Sequence, residues 1–107
     1  MNKTVKKPRN YDLYKAILKL ESVEECVNFF DDLCTVTELV AMEQRYEVAS
    51  CLSKGMIYND ILSDTGASSA TISRVNRSLQ YGKGGYDTVF ERLEKEAQTE
   101  SNGDEDK

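Results

Sequence analysis

The residues best placed to do chemistry are small hydroxyl side chains interleaved with arginines. Ser69, Ala70, Ser73, Arg74 and Arg77 recur three and four positions apart, so a helix would gather them on one face. Ile72, Val75 and Leu79 follow the same period on the opposite side and would anchor that helix in a core. Small side chains let a helix enter a DNA major groove ~12 Å wide, and arginines donate to phosphates or to guanine edges. An ordinary solvent-facing helix with solubility residues has the same look, so spacing alone leaves both readings open. Charge adds to the first. The chain has a net charge of −5, yet Gly66 to Tyr86 contains no acid and carries Arg74, Arg77 and Lys83. Local charge at a docking surface governs phosphate binding more than the whole-chain value does.

Arg45 is the other unusual residue. Its neighbours at helical spacing are Ala41, Met42, Val48 and Ala49, and no carboxylate lies within helical reach. A charge on an apolar stripe is costly unless something pairs with it. Its stem can pack while its head reaches water, or it can pair with an acid of another chain. Alternatively it forms half of an anion pocket that a second arginine completes.

Several chemistries are excluded or disfavoured. The chain has no histidine, which removes the commonest metal ligand and general base. Cys26, Cys34 and Cys51 are an odd number without paired spacing, so they read as small buried hydrophobes and not as a disulfide scaffold. Asp31–Asp32 reads as a solvated helix end. Neither a glycine-rich phosphate loop nor a carboxylate cluster suggests an enzyme, and no metal or built-in cofactor is expected. No apolar run approaches the ~18 residues of a membrane span, and no signal-peptide core is visible, so a soluble cytoplasmic protein without membrane contact is expected.

The elements that must position these residues follow a 3.6-residue apolar period throughout, with no strand-like alternation, so the fold is expected to be all-α. Asn10 can cap a helix carrying Leu13, Tyr14, Ile17 and Leu18. Ser22 with Glu25, and Thr35 with Glu38, are capping-box patterns. The second opens a long helix with Leu39, Met42, Tyr46 and Ala49, closed by Gly55. A two-turn helix over 56–65, a break at Gly66–Ala67, and a helix over 69–81 capped by Ser68 make a helix-turn-helix, spanning about 57–81. Gly82, Gly84 and Gly85 are expected to form a flexible loop, and a last helix uses Val89, Phe90 and Leu93, giving six helices. The ordered domain is expected over 10–96, flanked by a basic disordered arm at 1–9 and an acidic disordered tail at 97–107. In a chain of 107 residues, dimerisation would add to a modest core.

The stretch from Thr35 to Tyr81 resembles the Trp repressor family, and specifically its short TrpR-like (YerC/YecD) subgroup. Thr35 and Glu38, Gln44-Arg45, Gly55-Met56, Gly66-Ala67, the run Ala70-Thr71-Ile72-Ser73-Arg74, and Ser78-Leu79 carry the resemblance. It implies an intertwined homodimer presenting two reading helices about one DNA turn, ~34 Å, apart to a palindromic operator, the Trp repressor itself being a standard case of this docking. It implies an amino-acid corepressor held by two arginines, which match Arg45 and Arg74, with Thr35 of the partner chain, Tyr46, Val75 and Ser78 around them. Val75 stands where the family has glycine and Tyr46 where it has a small aliphatic residue, so a ligand other than tryptophan is implied. The reading is a sequence-specific DNA-binding transcriptional regulator, a repressor of a biosynthetic operon. Ser68, Ser69, Ala70 and Ser73 would face base edges, and Asn59, Arg77 and Lys83 would contact phosphates. The other reading is a helical protein-interaction adaptor without specific DNA reading.

Overall fold

The computed structural model describes residues 8–105, and within them every regular element is a helix. They are α1 (Tyr11–Ile17), α2 (Val23–Leu33), α3 (Val36–Ser53), α4 (Tyr58–Thr65), α5 (Ser69–Tyr81) and α6 (Gly85–Glu105). Two compact units are present, one ending at Leu39 and one beginning at Val40, so the boundary falls inside α3.

In the first unit, local polar chemistry sets the helix starts. The Asn10 side chain accepts from the Asp12 N–H at 3.0 Å and begins α1. The Ser22 hydroxyl accepts from the Glu25 N–H at 3.1 Å, while the Glu25 carboxylate accepts from the Glu21 N–H at 2.8 Å. At the start of α3, Thr35 and Glu38 exchange bonds reciprocally: Thr35 N–H to the carboxylate at 2.8 Å, Glu38 N–H to the hydroxyl at 3.1 Å. These are the donors that a helix start otherwise leaves without partners. Neither α1 nor α2 contains a buried residue.

The second unit holds the core. Val48 and Ala49 from α3, Ile61 from α4, Ala67 from the turn, and Ile72 and Val75 from α5 are buried together. Leu52, Met56, Leu62, Leu79, Tyr86 and Phe90 pack around them. The long helix ends in a Schellman arrangement: the Met56 N–H reaches the Cys51 carbonyl at 3.1 Å and the Gly55 N–H reaches that of Leu52 at 3.0 Å, with Gly55 at φ +81°.

Three boundaries differ from the sequence expectation. The short helix starts at Tyr58 and not at Met56, because Ile57 occupies the cap position and offers no side-chain acceptor. The glycine loop shrinks to Gly82–Gly84, and Gly85 is already the first residue of α6. Beyond Glu96, where the ordered domain was expected to end, α6 continues to Glu105. Ala97, Gln98 and Glu100 are good helix formers and no proline interrupts the segment, while Ser101 to Asp104, with Gly103 among them, have weak helix propensity. Lys95 pairs with Glu91 at 3.1 Å on the same surface, one turn apart. The rest of the expected arm and tail, residues 1–7 and 106–107, lies outside the described residues.

Candidate nucleic-acid interface

The site begins with the turn between α4 and α5. Gly66 sits at φ +69°, a left-handed conformation that glycine adopts without steric cost. The Thr65 hydroxyl donates to the Ile61 carbonyl at 2.7 Å and accepts from the Ala67 N–H at 3.1 Å, so both sides of the corner are tied to one side chain. Ala67 is buried beneath it. Gln44 of α3 donates through Nε2 to the Thr65 carbonyl at 3.2 Å. The Ser68 hydroxyl accepts from the Thr71 N–H at 3.1 Å and starts α5.

The face of α5 that packs is Ile72 and Val75, at 1% and 2% exposure, with Leu79 half-buried. At 100° per residue this turns Ala70, Ser73, Arg74, Arg77 and Tyr81 outward. All five are exposed, as is Ser69. Asn59 on α4 and Lys83 in the following turn are exposed as well. Among the described residues no carboxylate comes within ion-pair distance of Arg45, Arg74, Arg77 or Lys83, and the one ion pair is Lys95–Glu91. The cationic groups are therefore open to an external anion.

Ser68 has a structural duty that its place among the base-facing residues did not include. Its oxygen holds the Thr71 N–H and lies 3.0 Å from the Thr71 hydroxyl. Tyr81, 80% exposed on the outward stripe, was not singled out from the sequence, although the spacing 70, 73/74, 77, 81 contains it. Tyr58 was missed too. Its hydroxyl donates to the Ser69 carbonyl at 3.2 Å, a bond between residues eleven apart for which no sequence pattern exists.

The residues expected around an effector are placed unevenly. Arg45, Arg74 and Ser78 are exposed. Val75 is a core residue at 2% exposure, where its helical period put it, and so lines no open pocket. The Tyr46 ring lies 5.5 Å from that of Phe90, and Phe90 stacks on Tyr86 at 5.9 Å. Two grooves mark this unit. One is bounded by Val40, Glu43, Gln44, Glu47 and Thr65, the other by Tyr46, Ser50, Ser53, Lys54, Phe90, Leu93 and Glu94; neither has Arg45 or Arg74 on its wall. In the first unit, the Thr35 N–H and hydroxyl are both committed to Glu38.

The Trp repressor protein family matches residues 11–94. The chain belongs to that family. It is 51% identical over 89 residues to a Bacillus subtilis (strain 168) protein called "Uncharacterized protein YerC", covering 83% of this chain and 85% of the other. A crystal structure of a candidate Trp repressor from Staphylococcus aureus superposes with a TM-score of 0.75 at 49% identity, covering 78% of this chain and 83% of that one. A TrpR like protein from Eubacterium eligens ATCC 27750 gives a TM-score of 0.74 at 55% identity, covering 77% and 84%. The fold is thus that of the Trp repressor family, a family of DNA-binding regulators and not of enzymes. Among the described residues, no helix is long and apolar enough to cross a membrane.

Proposed function

We propose that this protein is a homodimeric, sequence-specific DNA-binding regulator that represses a biosynthetic operon by occupying its promoter. The observation that carries this reading is the two-sidedness of α5. One face is locked into the core by Ile72 and Val75, while the other offers Ser69, Ala70, Ser73, Arg74 and Arg77 to solvent, with neither arginine in an ion pair among the described residues. In this reading Ser69, Ala70 and Ser73 face base edges, directly or through water. Asn59, Arg77 and Lys83 set the register by holding phosphates, and Ser68 contributes by fixing the first turn of the reading helix. Occupancy alone represses, so no covalent step is involved.

Homodimerisation is part of the proposal. Helices with no fully buried residue gain little from tertiary packing, and most helical stability comes from packing an apolar face; in α1 and α2 the best-covered side chains, such as Ile17 and Phe30, are half-buried. The first unit exposes Tyr11, Leu18, Val23, Val27, Leu33 and Val36, each more than half accessible. A second copy of the chain would cover them and set two α5 helices about one DNA turn, ~34 Å, apart.

The effector in this reading is an amino acid smaller than tryptophan, held through its carboxylate by Arg45 and Arg74. Support comes from two exposed arginines without acid partners among the described residues and from the bulk of Tyr46, since overfilling a packed site costs ~1–3 kcal/mol.

Selection of bound duplexes from a random pool, repeated with each amino acid present, tests all three parts. A two-fold symmetric motif bound with a steep salt dependence is the expected result. Affinity for that motif should rise with one amino acid and not with tryptophan. A pool that yields no motif, together with salt-insensitive capture of a protein partner, would replace the regulator with an interaction adaptor.

A further inference from the structure

The hydrogen bond from Tyr58 to Ser69 has no part in the packing of the core, yet it sits where the corner can be adjusted. Tyr58 is the first residue of α4 and Ser69 the first of α5. The two helices are joined only at the opposite end of α4, through Gly66–Ser68. The eight residues of α4 put that junction ~10 Å along the axis from Tyr58. The Tyr58 hydroxyl, donating to the Ser69 carbonyl at 3.2 Å, therefore closes a ring made of α4, the turn and the start of α5. Gln44 pins the other end of α4 to α3 through the Thr65 carbonyl. With both ends of α4 held, the angle between α4 and α5 no longer depends on the glycine turn alone.

We infer that Tyr58 is a positioning residue for DNA reading, a brace that sets the angle at which α5 presents Ser69, Ala70 and Ser73 to base edges. This deepens the proposed function and rests on it. The Tyr58 ring is 43% exposed and outside the buried cluster, so its hydroxyl is not a mainstay of stability. Base recognition tolerates little angular error because each contact is directional, whereas long phosphate-binding side chains follow the backbone over a wider range. Loss of the brace therefore falls on discrimination and spares general affinity.

The test compares the full-length wild type with Tyr58→Phe, which removes only the oxygen. The probes are the duplex selected by the wild type and a scrambled duplex of the same composition. Melting temperature is measured alongside. The expected result is a fall of about 3- to 10-fold in affinity for the selected duplex, the scale of one net hydrogen bond. Scrambled-duplex affinity and its salt slope stay unchanged, and the melting temperature falls by no more than the roughly 4–8 °C that loss of one net hydrogen bond represents in a domain of this size. Equal discrimination by the two proteins overturns the inference. So does a parallel loss on both duplexes with a salt slope smaller by about one, which would make Tyr58 a phosphate contact. Both of those outcomes leave the proposed function standing. A wild type that selects no duplex fails at the earlier step and removes the function and the brace together.

Discussion

Arg77 and Ser69 lie within two and a half turns on one helix, yet the chemistry of each side chain predicts a different phenotype. Arg77 is exposed, without a carboxylate partner among the described residues, and long enough to meet a phosphate. Phosphates carry no sequence information, so Arg77→Ala should weaken binding to selected and random duplexes alike and reduce the salt slope by about one. Gel-shift titrations at several salt concentrations measure both; unchanged affinities on both duplexes would remove Arg77 from the interface. Ser69 is too short for that role, and its substitution should shift the preferred sequence while leaving random-duplex affinity alone. Val75 shows how the two lines of sequence reasoning differ. Its three- and seven-residue relations to Ile72 and Leu79 put it in the core, and the family resemblance put it beside a ligand. Burial at 2% follows the period, because a β-branched aliphatic side chain on the packed face of a helix has nothing to gain from facing solvent.

At the scale of elements, what could be read from the sequence was local. Asn10, Ser22, Thr35 and Ser68 each mark a helix start by a side chain reaching a backbone N–H two or three residues on, and all four do so. The bonds at the two ends of α4, Gln44 to Thr65 and Tyr58 to Ser69, span 21 and 11 residues and leave no trace in any short window. The extent of α6 was hidden for another reason. Polarity without an apolar stripe reads as a solvated tail, but a helix anchored at its start by Tyr86 and Phe90 can continue into a polar segment, with one-turn pairs such as Lys95–Glu91 along it. Two predictions belong here. Gly66 at φ +69° has open space around a would-be Cβ, so Gly66→Ala meets backbone strain alone and should cost about 1 kcal/mol, read by denaturant unfolding. Glu38 has its carboxyl pulled below the ordinary 4.5, first by the Thr35 N–H and then by the Thr35 hydroxyl. A group whose acidity rises on folding stabilises the fold above its unfolded value and loses that contribution as pH falls through the folded one. The stability gap between wild type and Glu38→Ala should thus be present at pH 7 and close below pH 4.5; a gap that stays constant on acidification would show that the cap acts without its charge.

Among the described residues, the fully buried side chains all lie in one unit, whereas exposed apolar side chains occur in both. From Val40 onward, Val48, Ala49, Ile61, Ile72 and Val75 make a core, while α1 and α2 bury no residue fully, hold Leu13, Ile17, Phe29 and Phe30 half-buried, and leave Leu18 and Val23 at 83% and 80% exposure. Capping bonds fix where those two helices begin but supply little net free energy, about 1 kcal/mol each, against the entropy of ordering the segment. Burial is what is missing, and covering an exposed leucine or valine is worth about 1.5–3 kcal/mol. If a second copy provides that burial, folding of the first unit is linked to association, and stability becomes a function of concentration. The melting temperature should then rise by about 2–4 °C for each tenfold increase in protein concentration, the shift expected when dimer formation and folding are one transition. Val27→Asp, placing a charge on the exposed apolar face of α2, should lower the sedimentation coefficient to that of a monomer and abolish binding to a two-fold symmetric duplex. It should leave the core from Val40 onward cooperative in unfolding. A melting temperature independent of concentration in the wild type, or a Val27→Asp protein that still sediments as a dimer, would place the partner surface elsewhere on the molecule.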